Sequence, residues 1–260
     1  MLRIAGDSDT GRVREHNEDR IAVRADLGFA VLADGMGGHR AGEVASSLAV
    51  QTIVAELERV LTELPWVPGW DDDGTEAMYL ALNSVAQANT AVYQNAHTSP
   101  DRAGMGTTLV LALFASGSMT IAHVGDSRAY RLRDAHLERL TQDHSMVEEV
   151  VRKGLFTLEE ARRNFGKNII TRALGIGSDV DIDVQQFTMR ASDVYLLCSD
   201  GLTDVVCDAD LQAALLEFGT ELDQAVRHLI ALANTRGGYD NISVILACYQ
   251  PPHPVSIFSG

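Results

Sequence analysis

The 260-residue sequence predicts an α/β (α+β) sandwich: two packed antiparallel β-sheets flanked by pairs of antiparallel helices, with a flap inserted near residues 145–167. Three observations lead there. Apolar runs of strand length are separated by short polar or glycine turns, which favours antiparallel pairing. Helical stripes come in pairs instead of alternating singly with strands, which argues against a doubly wound parallel sheet. One polar excursion of roughly thirty residues breaks the pattern, and such a segment is more often a functional flap than a structural necessity.

Taken in order, Ile21 to Arg24 is a short strand candidate, and the apolar run Phe29 to Ala33 reads as a buried strand. A long helix starts near Gly42, with Val50, Ile53, Val54, Leu57 and Leu61 at helical spacing. Pro65, Pro68, Gly69 and the cluster Asp71 to Gly74 end it. A second helix from Thr75 to about Asn95 carries Met78, Leu82, Val85 and Val92 on one stripe. Strands follow at Thr108–Phe114, Met119–Val124, Ala129–Leu132 and Leu137–Leu140. The polar stretch from Gln142 to Arg172 is partly helical, has capping-box spacing at Thr157 and Glu160, and offers little for a core. Strands return at Val180–Phe187, Val194–Cys198 and Ile242–Tyr249, with helices near Asp208–Phe218 and Leu222–Thr235 between the last two. Residues 1–250 are expected to form one domain, and residues 251–260 a tail.

Composition narrows the function. A chain that is 46% apolar can bury a sizeable core. A net charge of −15 argues against a nucleic-acid partner, which would normally meet a basic face. The longest apolar stretch, Leu109 to Ala115, is too short to span a bilayer, and Met1 to Asp7 lacks the apolar core of a signal peptide. Cys198, Cys207 and Cys248 have no metal-ligand spacing and read as reduced thiols in a cytoplasmic protein.

The chemistry is carried by acids at the ends of apolar runs. Asp34 follows Phe29–Ala33 and opens Asp34-Gly35-Met36-Gly37-Gly38-His39; Asp126 and Asp200 end two further runs, and Asp240 precedes the last. A single site of this kind is more often an Asp-Gly turn. Four of them suggest carboxylates gathered at one rim of a sheet, and so a metal site. Ligands that are all oxygen select Mg²⁺ or Mn²⁺ over Zn²⁺. Several carboxylates meeting at one place must hold more than one cation to relieve their repulsion, and paired ions suit displacement at phosphorus. Arg14, beside Glu18 and Asp19, adds a guanidinium that fits a phosphate dianion, although such an arginine alone is more often a surface ion pair. Other chemistries fail on their spacing. Lys167 follows a glycine but precedes Asn168, Arg40 replaces the last glycine of a dinucleotide fingerprint, and no cysteine has an arginine six residues on.

The ordered set Ser8-Asp9-x-Gly11-x-x-Arg14-x-x-Asn17-Glu18-Asp19, Ala33-Asp34-Gly35-Met36-Gly37-Gly38-His39, Gly104-Met105-Gly106-Thr107-Thr108, His123-Val124-Gly125-Asp126-Ser127-Arg128, Ile170-Thr171-Arg172-Ala173-Leu174-Gly175, Leu196-Leu197-Cys198-Ser199-Asp200-Gly201 and Asp240-Asn241-Ile242-Ser243 resembles the metal-dependent protein serine/threonine phosphatases, type 2C or PPM, in their compact bacterial branch. The resemblance implies hydrolysis of phosphoserine and phosphothreonine by direct attack of a metal-activated water. It implies that Asp34 bridges two ions, Mn²⁺ or Mg²⁺, with the Gly35 carbonyl on one and Asp200 and Asp240 on the other. Asp126 with Asp200 would hold a third, weaker ion. Glu18 and Asp19 would act through water, Arg14 would grip the phosphate, and His39 is the candidate proton donor, although family histidines of that role stand nearer the Asp-Gly pair. The implied partners are phosphorylated proteins, substrates of a serine/threonine kinase or the kinase itself, met by a monomer. Two other readings stay open: a two-metal phosphoesterase acting on a nucleotide or small metabolite, and a silent phosphatase-like binding module. The second usually lacks metal acids, and here all are present.

Overall fold

The structure, a computed structural model, describes residues 1–37, 40–63, 74–115, 117–165, 169–219 and 221–249. In chain order the elements are β1 (Leu2–Asp9), β2 (Asp19–Arg24), β3 (Phe29–Met36), α1 (Ala41–Glu63), α2 (Thr75–Ala96), β4 (Gly106–Thr107), β5 (Leu109–Ala115), β6 (Ser118–Val124), β7 (Arg128–Arg133), β8 (His136–Arg139), α3 (Met146–Arg152), α4 (Leu158–Phe165), β9 (Asp183–Thr188), β10 (Val194–Cys198), α5 (Asp200–Thr203), α6 (Asp208–Phe218), α7 (Leu222–Thr235) and β11 (Ile242–Tyr249). One sheet runs β1-β11-β10-β7-β8 and the other β2-β3-β5-β6-β9, with β4 paired to the end of β3. Every pairing is antiparallel.

Side-chain alternation explains why the central strands read as unbroken apolar runs. In β5, Leu109, Leu111 and Leu113 face a core shared with α1 and α2, whereas Val110, Ala112 and Phe114 face a core between the sheets. In β11, Ile242, Val244, Leu246 and Cys248 face α6 and α7, and Ile245 and Ala247 face the middle. Three apolar layers therefore separate helices, sheet, sheet and helices, as in the predicted sandwich. Burial of these continuous runs is the dominant favourable term, at about 25 cal/mol per Å² of apolar surface.

Several elements differ from the sequence reading: β3 runs on through Asp34 to Met36, and β4 and α5 are additional. β1 is a strand that the polar and glycine content of residues 1–9 concealed; among the described residues it is an edge strand, paired with β11. β9 starts at Asp183, not Val180, because Val180 and Ile182 pack against the outer core without joining the ladder. The flap holds a small core of its own, Val147, Val150 and Ala161 packed with Phe156 and Phe165. Its capping box forms: Glu160 N–H donates to Thr157 Oγ1, and Thr157 N–H to Glu160 Oε2. Gly166 and Lys167 at the flap's end, and the tail at 251–260, lie outside the described residues. Among the described residues no helix is long and apolar enough to cross a membrane.

Candidate active site

Both sheets deliver acids to the same end of the sandwich. Asp19 and Asp34 are direct cross-strand partners on β2 and β3. Asp126 lies in the turn leaving β6, Asp200 opens α5 after β10, and Asp240 stands two residues before β11. Two glycines permit this convergence by lacking a side chain. A Cβ on Gly35 would lie 2.1 Å from the Gly42 carbonyl oxygen and 2.6 Å from that of Glu18, so β3, α1 and the entry to β2 could not meet. A Cβ on Gly201 would lie 2.0 Å from the Asn241 oxygen, which would separate Asp200 from Asp240.

Hydroxyls hold the carboxylates in place. Asp19 Oδ2 accepts from Ser199 Oγ (2.8 Å) and Ser243 Oγ (2.7 Å). The backbone of Asp34 is held on both sides: its N–H donates to Thr108 Oγ1 (3.1 Å), and its carbonyl accepts from Thr107 Oγ1 (2.8 Å). Thr108 Oγ1 in turn pairs with Ser127 Oγ at 2.7 Å, tying the Asp34 strand to the Asp126 turn.

The carboxylates are held as a cluster short of positive charge. Burial, then the charges of Asp19, Asp200, Asp126 and Asp240, raises the Asp34 carboxyl well above the usual range. Burial followed by Asp126 and Asp240 pushes Asp200 up to about 8. Burial also leads at Asp19 and Asp126, each pushed up to about 6. Oδ1 of Asp19 and Oδ1 of Asp126 are buried with no hydrogen-bond partner among the described residues. Orphaned buried acceptors and mutually repelling acids, all with oxygen donors, fit hard divalent cations.

Arg14, in the loop between β1 and β2, donates from Nη2 to Asp240 Oδ2 at 2.7 Å and stays half exposed. The Asp240 hydrogen bond, aided by the charges of Asp240, Glu18 and Asp34, raises its already high pKa against the effect of burial. Glu18 is raised chiefly by burial, with Asp240 and Glu43 adding to it and Arg14 opposing. The structure thus brings together Arg14, Glu18, Asp19, Asp34, Gly35, Asp126, Asp200 and Asp240; His39 lies outside the described residues.

Several supporting residues escaped the sequence reading. Ser199, Ser127 and Asn241 each adjoin a predicted acid, a position that suggests a turn as readily as a hydrogen-bond partner. A second polar group, His123, His144 and Asp183, sits behind the Asp126 turn, with ligand-type atoms within 4.8 Å of one another. Here a guanidinium already balances the charge: Arg172 Nη1 stands 2.9 Å from Asp183 Oδ1 and 3.3 Å from His144 Nε2. Burial lowers the pKa of both histidines, whose rings stack at 4.7 Å. Gly125 N–H donates to His144 Nδ1, and His144 N–H donates back to the Gly125 carbonyl. The group braces the turn that carries Asp126.

The chain is similar to known proteins over nearly its whole length. The serine/threonine phosphatase stp of Listeria monocytogenes is 38% identical over 242 residues, 92% of each chain. The crystal structure of the Mycobacterium tuberculosis serine/threonine phosphatase PstP/Ppp superimposes with a TM-score of 0.83 at 38% identity, covering 96% of this chain and 99% of that one. The catalytic domain of PstP in complex with two manganese ions gives 0.80 at 39% identity, over 95% and 97% of the two chains. Residues 10–236 match the family model described as protein phosphatase 2C, and the chain belongs to that family, the metal-dependent protein serine/threonine phosphatases.

Proposed function

We propose that Asp34, the Gly35 carbonyl, Asp200 and Asp240 hold two divalent ions, Mn²⁺ or Mg²⁺, and that Asp126 with Asp200 holds a third. The observation that carries this is the convergence of five carboxylates from both sheets, two of them with buried oxygens lacking partners among the described residues. Ions bound there supply Lewis acidity toward the phosphoryl oxygens and an acidified water for in-line attack. Arg14 presents its planar fork to the phosphate dianion of a phosphoserine or phosphothreonine side chain, fixing its orientation. Glu18 and Asp19 orient water at the same site, and His39 is the proton donor proposed for the leaving oxygen.

No side-chain nucleophile is needed. Cys198, two residues before Asp200, is fully buried, and burial pushes its thiol up to about 12, which makes it inert. Residues 1–250 are taken as one catalytic domain, supported by the pairing of β1 with β11 across the whole chain. The three free thiols support a cytoplasmic setting. There a monomer would act on substrates of a serine/threonine kinase, or on the kinase itself. Turnover of a phosphothreonine peptide against nucleoside monophosphates, each with Mn²⁺, tests the substrate class. Faster hydrolysis of the nucleotide would replace the protein substrate with a small metabolite.

A further inference from the structure

Asn241 is 5% exposed, and its carboxamide uses three hydrogen bonds on one loop. Its Nδ2 donates to the carbonyls of Thr10 and His16, each at 2.9 Å, and its Oδ1 accepts the Glu18 N–H at 2.7 Å. Thr10 lies on the arm leaving β1; His16 and Glu18 lie on the arm returning to β2. One side chain therefore closes the base of the loop, and Arg14 stands between the closed points. The leaving arm has further anchors: Arg12 N–H donates to the Gly238 carbonyl at 2.7 Å, and Asn234 Nδ2 to Asp9 Oδ1 at 3.0 Å. Beyond Asn241, the returning arm is held through Asn17, whose Nδ2 donates to Ser8 Oγ at 2.8 Å and whose Oδ1 accepts the Asp19 N–H at 3.1 Å.

The pattern of partners selects a carboxamide. Two carbonyls need donors and one N–H needs an acceptor, all within reach of one short side chain. Aspartate would keep the acceptor but set an anionic oxygen against two carbonyl oxygens. Alanine would remove the side-chain partner of three backbone groups in part-buried hydrogen bonds, a loss that loosens the loop.

We infer that Asn241 is a positioning residue that sets the Arg14 guanidinium over the phosphate site by closing the Thr10–Glu18 loop. This rests on the reading of Arg14 as the phosphate grip. It assigns Asn241 a role in substrate affinity separate from that of its neighbour Asp240, whose Oδ1 accepts the Asn241 N–H at 2.8 Å.

The test uses the full chain with saturating Mn²⁺ and the variants Asn241→Ala, Asn241→Asp, Arg14→Ala and Arg14→Ala/Asn241→Ala. Steady-state kinetics on a phosphothreonine peptide and on p-nitrophenyl phosphate are joined by inhibition with inorganic phosphate and by amide exchange of residues 10–18. Asn241→Ala should raise KM on both substrates, and the phosphate inhibition constant, by about tenfold, with a smaller change in kcat. Exchange in residues 10–18 should quicken, and the double variant should show the KM of Arg14→Ala. Asn241→Asp, which preserves volume, should act in the same direction. If Arg14→Ala raises KM and neither Asn241 variant does, or if the double variant's losses multiply, the inference on Asn241 fails alone. A weakened Mn²⁺ activation constant with unchanged KM would assign Asn241 to Asp240 and likewise overturn it. Unchanged KM in Arg14→Ala would remove the phosphate grip itself, and the role of Asn241 with it.

Discussion

Replacing Arg14 separates phosphate binding from ion pairing. In the structure Arg14 Nη2 sits 2.7 Å from Asp240 Oδ2, with about half of the arginine side chain (51%) and 31% of the aspartate exposed. A pair so open to water contributes less than about 1 kcal/mol to stability, so Arg14→Ala should barely shift the melting temperature. Its effect on substrate is larger. A hydrogen bond to a charged group is typically worth about 1.5–3 kcal/mol, so losing the grip on a dianion should raise KM roughly ten- to a hundredfold. Arg14→Lys should recover only part of this, because an ammonium is a point charge without the fork. Steady-state kinetics of both variants on one phosphothreonine peptide, with Mn²⁺ saturating, is the assay. An unchanged KM in both would refute the assignment and leave the Asp240 pair as the arginine's only role.

Three further outcomes follow from the site and its flap. Asp34→Asn should cut kcat by orders of magnitude, yet its melting temperature without metal should hold or rise, because an amide relieves the repulsion that raises Asp34; a sharp fall would make Asp34 structural. In chelator, the melting temperature should fall between about pH 7 and pH 8 and then level off. Asp200, raised to about 8 in the fold from an ordinary value of 3.8, keeps a proton that the unfolded chain has already released, so its contribution shrinks as pH climbs toward the folded value and is gone above it. His123 and His144, lowered by burial from 6.5, act in the opposite sense only at lower pH, so a melting temperature rising across this window would contradict the cluster. Replacing Arg162, Arg163 and Asn164 with alanine, while keeping Phe165 because it packs on Phe156 at 5.4 Å, should change phosphoprotein turnover more than p-nitrophenyl phosphate turnover. Equal losses would refute a substrate-selecting flap.

The acids were legible in the sequence because strands buried on both faces form long apolar runs, and an aspartate ending such a run stands out. Asp126 and Asp200 follow β6 and β10 and Asp240 precedes β11, as that pattern implies, whereas β3 runs on through Asp34 to Met36. What lay hidden depends on contacts distant in sequence. The cross-strand pairing of Asp19 with Asp34 is a register, which local composition does not encode. Ser199 and Ser243 become partners of Asp19 only after β10 and β11 lie side by side. β1 was missed because an edge strand with Gly6 and several polar residues lacks the continuous run that marks the centre of a sheet. The flap's own core escaped notice because two short helices need few apolar residues to meet.

The proposed chemistry requires that the carboxylate cluster work only with metal bound. Chain stripped with EDTA and then titrated with Mn²⁺, followed by phosphate release from a phosphothreonine peptide, measures it in one experiment. Turnover absent in chelator and restored by Mn²⁺, with Asp34→Asn silent throughout, is the predicted result; full turnover in chelator would contradict it.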